Sequence, residues 1–195
     1  DVYKRQILKS IIESFKSLDP NLNIKVLSKD PDLTEREYGV AAVDRFKFFD
    51  VRKSLKASDM LISGGGSLLQ DKTSSRSIWY YLLIMKLAKR YKKKVFVYSN
   101  GVGPINKRFN RNITRRVLNK VDYITLRDKD SYDFIKSIGV NNPNIKVLSD
   151  PVFNLKEASD ESVREKFDIN EGTVLVSIRS WICLLYTSPS PRDAT

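Results

Sequence analysis

The chain of 195 residues contains no histidine and a single cysteine, Cys183. Without histidine, these residues supply no serine–histidine pair, no imidazole acid or base, and no histidine metal ligand. One cysteine excludes a disulfide framework and a cysteine-built zinc site, and we expect no metal site. No apolar run approaches membrane-spanning length, and the N-terminus lacks the apolar core of a signal peptide. With a hydrophobic share of 41%, we expect a cytoplasmic protein with a packed core.

Acidic residues are missing from one long segment. Between Lys86 and Lys120 the sequence has twelve Lys or Arg and no Asp or Glu. In the rest of the chain, basic and acidic residues are equal in number, so this segment carries the whole net charge of +12. Such a patch attracts a membrane surface, a polyanion or an anionic substrate, although a solvated helix face is the alternative. Aromatic residues do not alternate with these charges, so we expect no nucleic acid. The candidate patch comprises Lys92, Lys93, Lys94, Lys107, Arg108, Arg111, Arg115 and Arg116.

The most informative motif is Gly64-Gly65-Gly66, which lies between Ser63 and Ser67. An apolar run before it predicts a buried strand, and apolar residues at helical spacing after it predict a helix over about residues 74–91. Glycines in such a loop let the backbone approach a ligand, and the N–H groups at the helix start favour an anion. The motif matches neither nucleotide-binding fingerprint. Two interpretations therefore stay open: an anion-binding loop, or glycines required for tight packing.

Strand and helix patterns alternate along the chain. They predict strands over residues 24–28, 60–63, 95–99, 123–126 and 145–149, helices over 7–18, 51–57, 74–91, 107–119 and 129–138, and a turn at Asp30-Pro31. This alternation predicts a Rossmann-like parallel sheet with helices on both faces. Ligands bind such sheets at the carboxyl ends of the strands. The candidate substrate-binding residues there are Ser63, Gly64, Gly65, Gly66, Ser67, Gln70, Asp71, Asn100, Gly101, Gly103, Arg127, Asp128 and Asp150. Asp128 and Asp150 can equally cap a helix or fix a turn.

The two ends of the chain differ from the rest. Residues 1–6 and 182–195 resemble translated sequencing-adapter sequence, and the second stretch is rich in Ser and Pro. We expect both to be non-native and leave them out of the fold prediction. Residues 7–155 are then expected to form one lobe that lacks its first strand. Residues 156–181 are expected to form a linker and the start of a second lobe.

Five sequence blocks resemble the bacterial polysaccharide pyruvyl transferases, in particular the cell-surface-anchoring type. They are Ile24-Lys25-Val26-Leu27-Ser28 with Asp30-Pro31; residues 61–71 continued by Thr73-Ser74-Ser75-Arg76-Ser77; Gly101-Val102-Gly103-Pro104-Ile105; Ile124-Thr125-Leu126-Arg127-Asp128; and Asp150-Pro151-Val152-Phe153. In addition, Ser177-Ile178-Arg179-Ser180-Trp181 resembles the first strand of the family's second domain. The resemblance covers residues 7–181.

The resemblance implies one lobe of a GT-B-like two-domain enzyme. The implied reaction moves the enolpyruvyl group of phosphoenolpyruvate onto two hydroxyls of one sugar, which forms a ketal and releases phosphate. For the cell-surface-anchoring type, the sugar is N-acetylmannosamine of a lipid-linked cell-wall polysaccharide precursor, and surface-layer proteins bind the ketal carboxylate. By this analogy, residues 7–155 hold the acceptor, and Arg179 is a candidate for the donor side.

The resemblance also implies that part of the active site lies outside this chain. In the family, a strand with a Gly-Asp-Glu loop precedes the position of Ile7, and a histidine and further arginines lie in the second lobe. We therefore expect the catalytic residues to be absent and the 195-residue chain to be inactive alone. We expect phosphoenolpyruvate as the donor substrate, no cofactor, a lipid-linked glycan as the acceptor, and peripheral contact with the inner face of the membrane.

Two alternative functions stay open at this point. One is a GT-B glycosyltransferase that uses a nucleotide-sugar. Analysing whether products form from phosphoenolpyruvate or from UDP-sugars would distinguish this enzyme from a pyruvyl transferase. The other is a non-catalytic module that binds a polyanion through the basic segment. A steep salt dependence of DNA binding would favour that module.

Overall fold

In the computed structural model of the chain, the described residues are 2–72 and 74–155, with side chains from Arg5 onward. They belong to one structural unit, Asp1–Leu155. The expected linker and start of a second lobe, residues 156–181 with the candidate Arg179, lie outside the described residues.

Helices and strands alternate through the described part of the chain. The helices are α1 Val2–Leu18, α2 Pro31–Tyr38, α3 Phe48–Ala57, α4 Ser75–Arg90, α5 Arg108–Leu118 and α6 Lys129–Ser137. The strands are β1 Lys25–Ser28, β2 Ala41–Asp44, β3 Met60–Leu69, β4 Lys94–Val102, β5 Tyr123–Leu126 and β6 Ile145–Val147. A single 3₁₀ turn, Pro151–Asn154, follows the last of these strands.

The strands pair in parallel throughout. The four strands β3, β4, β5 and β6 form one sheet in chain order, and β1 and β2 form a separate two-stranded sheet. Parallel neighbours joined by helices are the arrangement that the alternating pattern predicts. The α/β, Rossmann-like fold class is therefore confirmed, with the strands divided between two sheets.

Both faces of the larger sheet are covered by helices. Val95 and Val97 of β4 are buried in the core that contains Ile78 and Leu82 of α4. Phe96 and Tyr98 of the same strand point to the opposite face of the sheet, because side chains alternate along a strand. There Tyr98 meets Phe15 of α1 edge to face, with ring centroids 5.8 Å apart.

The sequence Asp30-Pro31 begins a helix, so the predicted turn was wrong. The Asp30 carboxylate accepts a hydrogen bond from the Leu33 N–H at 3.1 Å, and Pro31 occupies the first helical position, where its missing N–H costs nothing. Helix α2, of eight residues, and strand β2, of four, were not predicted. Neither has a clear hydrophobic pattern, because α2 is mostly polar and β2 contains two alanines, which are uncommon in strands.

The glycine motif lies within a strand, so the predicted loop was also wrong. Strand β3 continues to Leu69 because pairing with β4 persists, with Gly66 opposite Asn100 and Ser67 opposite Gly101. For the same reason β4 includes residues 100–102, which lie beyond the predicted end of that strand at residue 99. Pairing depends on backbone groups, so glycine-rich sequence does not by itself end a strand.

Helix α1 packs directly on the glycines. A Cβ atom added to Gly64 would lie 2.7 Å from Ile11 Cδ1, and one added to Gly65 would lie 2.0 Å from Ile7 Cγ2. Gly65 also has a φ of +63°. For Gly64 and Gly65 the tight-packing interpretation therefore accounts for the residue type. Helix α1 itself begins at Val2, before the predicted start.

None of the helices within residues 2–72 and 74–155 is both long enough and apolar enough to cross a membrane.

We predict that Gly65→Ala destabilises the protein more than Gly39→Ala does. Both glycines have φ near +60°, but a Cβ on Gly39 would meet nothing within 4 Å. Gly39→Ala should therefore lower the free energy of unfolding by about 1 kcal/mol, from left-handed backbone strain alone. Gly65→Ala should cost a further ~1–3 kcal/mol because α1 must move.

Urea unfolding of the two variants measures this difference, and amide exchange in α1 shows whether the helix has moved. Equal unfolding free energies with unchanged exchange in α1 would contradict the packing account.

Candidate functional site

A cleft of about 340 Å³ opens at the carboxyl ends of three strands of the larger sheet. Strand β3 contributes Ser67, strand β4 contributes Gly101, and Arg127 follows strand β5 directly. Ligand sites of parallel sheets lie at this edge. The complete lining is Ser67, Gly101, Val102, Gly103, Pro104, Arg127, Asp128, Asp130, Ser131 and Phe134.

The guanidinium of Arg127 is the central group of the cleft. Its Nη2 donates a hydrogen bond to Ser67 Oγ at 2.8 Å, across the width of strand β4. Gly101 leaves the room for this contact, because a Cβ there would lie 2.9 Å from Arg127 Nε and 3.0 Å from Ser67 Oγ. Any other residue at this position would displace the guanidinium. The predicted candidates Ser67, Gly101 and Arg127 are therefore brought together.

Two carboxylates complete the surroundings of Arg127. Its Nε donates to Asp128 Oδ2 at 3.3 Å, and its Nη1 donates to Asp150 Oδ2 at 3.4 Å. Each carboxylate also begins a helical turn: Asp128 accepts from the Ser131 N–H at 2.7 Å and Asp150 from the Val152 N–H at 3.1 Å. The capping role and the pairing with Arg127 thus occur in the same side chains.

The pKa of Asp128 is below its ordinary value. Partial burial acts to raise it, but hydrogen bonds from Ser131 and Arg127, together with the charge of Arg127, outweigh that effect. Asp128 is therefore ionised at neutral pH and can accept hydrogen bonds at the cleft.

Asn100 lies beneath the cleft and is fully buried, with 0% of its surface exposed. Its side-chain amide donates to the carbonyl of Ser63 at 3.0 Å, and its backbone carbonyl accepts from the Arg127 N–H at 3.3 Å. The amide oxygen Oδ1 has no hydrogen-bond partner among the described residues. Asn100 thus joins the ends of β3, β4 and β5 at one point.

Asp71 lies away from the cleft lining and organises the start of α5. Its carboxylate accepts from the N–H of Asn106 at 2.7 Å, the N–H of Lys107 at 3.1 Å and the side-chain amide of Asn110 at 2.7 Å. Only 8% of Asp71 is exposed. Burial acts to raise its pKa, but these hydrogen bonds and the charge of Lys107 hold it below the ordinary value. The neighbouring candidate Gln70 donates to the Ser67 carbonyl at 3.3 Å.

The glycine motif and a helix start are not joined in the way the sequence suggested. The glycines end at Gly66 within β3, and α4 begins only at Ser75. The Ser74 hydroxyl accepts from the Arg76 N–H at 3.1 Å and so caps that helix itself. The anion-binding interpretation requires the glycines to lead directly into a helix start, and here the two are separate.

The eight candidate patch residues fall into two groups. Lys92, Lys93 and Lys94 lie at the amino end of β4, and Lys107, Arg108 and Arg111 follow its carboxyl end. Strand β4 rises about 26 Å from Lys94 to Val102, so the two groups adjoin opposite ends of it. Arg115 and Arg116 lie in the last turn of α5. At the amino end, Lys94 pairs with Asp122 at 3.6 Å, as does Lys89 at 2.7 Å.

Three residues of α6 that were not among the predicted candidates also belong to the cleft region. Ser131 Oγ accepts a hydrogen bond from the Val102 N–H at 2.9 Å. The ring of Phe134 packs so closely on Gly103 that a Cβ there would lie 3.1–3.3 Å from the ring atoms. Asp130 lines the same side of the cleft. A signal was available for Ser131, which lies three residues after the helix-capping Asp128, at the position that a cap contacts.

The cleft offers more negative than positive charge. Arg127 is accompanied by Asp128 and Asp130 in the lining and by Asp150 behind it. Carboxylates accept hydrogen bonds from hydroxyls, whereas they repel an anionic ligand. Within the described part of the chain, no group of three or more His, Cys, Asp or Glu side chains could hold a metal ion. The arrangement suits a ligand rich in hydroxyl groups.

We predict that Asp71→Asn destabilises the protein by about 1–3 kcal/mol at neutral pH, because an amide cannot satisfy three donors. The pKa of Asp71 is below 3.8 in the folded protein, so its stabilising effect is complete above that pH and is lost as the pH falls through the folded-state pKa. Urea unfolding at several pH values should show the difference between variant and parent shrinking below pH 3.8.

Asp59→Asn, which changes an exposed carboxyl, is the matched control and should change stability little. A loss of stability from Asp71→Asn that stays constant down to the lowest pH would contradict the assigned role.

The comparisons with known proteins agree with the resemblance found in the sequence. A family model described as polysaccharide pyruvyl transferase matches residues 5–188. No curated protein matches the chain, and neither does any solved structure. The family match spans nearly the whole chain and includes every strand end that forms the cleft. The chain therefore belongs to the polysaccharide pyruvyl transferase family.

Proposed function

We propose that this chain is the acceptor-binding part of an enzyme that transfers the enolpyruvyl group of phosphoenolpyruvate to a sugar. The family indicates a transferase that adds a pyruvyl group to a polysaccharide. To this we add two steps: phosphoenolpyruvate is the donor, and residues 7–155 bind the acceptor. The observation that carries the assignment is the charge of the cleft.

The cleft charge favours a sugar over phosphoenolpyruvate. Phosphoenolpyruvate is a trianion near neutral pH, and a site for it requires an excess of Arg, Lys or free N–H groups. Here one guanidinium faces three carboxylates, two of which already contact it. A neutral sugar instead gains hydrogen bonds from its hydroxyls to Asp128 and Asp130. We therefore place the acceptor sugar, and not the donor, against Arg127.

The reaction requires two hydroxyls of one sugar to add to the same carbon. The first hydroxyl oxygen bonds to C2 of phosphoenolpyruvate and gives up its proton to a base, while the C2–C3 double bond is lost and the methylene carbon takes a proton from an acid to become a methyl group. The second oxygen then displaces phosphate from C2, and its proton passes to a base. The cleft residues contribute binding and orientation of the two hydroxyls. We assign neither the acid nor the base to residues of this chain and expect Arg179 to serve the donor side.

The acceptor that we propose is N-acetylmannosamine in a lipid-linked precursor of a cell-wall polysaccharide. The product ketal carries a carboxylate, which would provide an anionic anchor for surface-layer proteins. No cofactor enters this scheme, since phosphoenolpyruvate supplies both the transferred group and the leaving phosphate. An enzyme with a lipid-linked substrate would act in the cytoplasm at the inner face of the membrane. Support for these finer points comes from the sequence blocks that resemble the cell-surface-anchoring type.

We predict that Arg127→Lys weakens binding of an N-acetylmannosamine-containing oligosaccharide at least tenfold. Lysine keeps the positive charge but cannot contact Ser67 and two carboxylates at once, so these side chains are no longer held together at the cleft. Isothermal titration with the oligosaccharide measures the dissociation constant. Arg52→Lys, at an exposed position of α3, is the control and should bind like the parent chain. Thermal melting of both variants separates lost binding from lost folding.

We further expect the 195-residue chain to bind this oligosaccharide without releasing phosphate from phosphoenolpyruvate. A phosphate-release assay together with the mass of the glycan tests this expectation. Binding of phosphoenolpyruvate that is unaffected by Arg127→Lys would be consistent with a donor site elsewhere. Tight binding of phosphoenolpyruvate in competition with the oligosaccharide would contradict the acceptor assignment.

A further inference from the structure

Five large aromatic side chains are exposed on the helices and loops around α4. Phe46, Phe49 and Phe109 have 66%, 81% and 64% of their surface exposed. Phe48 and Trp79 are about half exposed. We call these five residues the aromatic rim. Exposed aromatic residues in such number are uncommon on a protein surface that faces only water.

Contacts through α4 connect the two parts of the aromatic rim. On one side, Trp79 of α4 meets Phe109 of α5 edge to face at 6.4 Å. On the other side, the hydroxyl of Tyr80 donates to the carbonyl of Arg45 at 3.3 Å, next to Phe46. Trp79 and Tyr80 are consecutive residues in the first half of α4. The first half of α4 therefore lies between the phenylalanines of residues 46–49 and Phe109.

Basic side chains accompany the aromatic rim on both sides of α4. The guanidinium carbon of Arg45 lies 4.7 Å above the ring of Phe46, and Lys47 alternates with the phenylalanines. Lys107, Arg108 and Arg111 flank Phe109 in the sequence, within the segment that has no acidic residue, and the buried carboxylate of Asp71 contacts the Lys107 N–H there. Asp44 and Asp50 flank residues 45–49, and the Asp44 carboxylate accepts from the Phe46 N–H at 2.8 Å. Cations therefore outnumber carboxylates in the surroundings of the rim.

We propose that the aromatic rim docks on an anionic lipid surface. Aromatic rings enter the boundary between headgroups and acyl chains, while Lys and Arg attract acidic headgroups. The combination of exposed rings with excess positive charge matches this one partner better than it matches a neutral protein surface. Of the two basic groups described above, the docking surface uses the one at the carboxyl end of β4.

This orientation places the membrane beside the cleft. Pro104 lines the cleft, and α5 begins four residues later at Arg108. Arg111 Nε donates to the carbonyl of Ile105 at 2.5 Å, which fixes the connection between them. A docked rim would therefore present the cleft to molecules held in the same membrane. The lipid docking itself does not rest on the proposed function, because vesicle binding requires neither phosphoenolpyruvate nor a glycan.

Flotation with vesicles tests the proposal. We expect the 195-residue chain to bind vesicles that contain phosphatidylglycerol, and to bind pure phosphatidylcholine vesicles at least tenfold more weakly. The double variant Lys107→Gln with Arg108→Gln should bind the anionic vesicles roughly 25-fold more weakly, at about fivefold per charge. Its matched control is Lys92→Asn with Lys93→Gln, which removes the same charge from the other end of β4 and should have little effect.

A second pair of variants tests the aromatic contribution. Phe109→Ala and Phe49→Ala should each weaken vesicle binding roughly fivefold. Phe153→Ala, at an exposed phenylalanine outside the rim, should leave binding unchanged. Equal losses from the rim variants and their controls would overturn the proposal. Binding to heparin or DNA without binding to anionic vesicles would overturn it as well and would favour a polyanion partner.

Discussion

The position of one guanidinium determines the geometry of the cleft. Arg127 contacts Ser67 at the end of β3, Asp128 at the start of α6, and Asp150 beyond β6. Gly101 allows this because β4 passes between Arg127 and Ser67 with no side chain in the way. A partly buried charge with several partners is costly to disturb, since removing one partner leaves the others uncompensated. These contacts therefore fix the place of the guanidinium in the cleft.

Asp71 provides the second fixed point, on the side of the sheet where α5 begins. By accepting three hydrogen bonds from residues 106–110, it holds the first turn of that helix against the end of β3. Trp79 donates to the Asn110 side chain at 2.8 Å, so the same anchor positions an exposed aromatic residue. The backbone N–H of Asp71 also donates to the carbonyl of Pro104, which lines the cleft. The aromatic rim and the cleft are thus connected through Asp71, and the membrane contact and sugar site that we propose would keep a constant separation.

Periodicity was sufficient to predict the fold class and the order of the longer elements, because α4, β5 and α6 have strong patterns and the predicted bounds lie within a few residues of the observed ones. It failed at the glycine motif, since pairing with β4 and packing of α1 are contacts distant in sequence. The pairing of Ser67, Arg127, Asp128 and Asp150 follows from their shared place at strand ends. The contribution of Ser131 and Phe134, and the role of Asp71 in holding α5, required the three-dimensional arrangement.

The central claim is that the cleft around Arg127 binds the hydroxyls of an acceptor sugar. The most direct measurement is amide chemical-shift mapping of the ¹⁵N-labelled chain during titration with an N-acetylmannosamine-containing oligosaccharide, and separately with phosphoenolpyruvate. We predict that the oligosaccharide shifts the amides of residues 101–103 and 127–131, and that phosphoenolpyruvate leaves them unchanged. Shifts that cluster at the separate β1–β2 sheet, or that arise at the cleft only with phosphoenolpyruvate, would contradict the account.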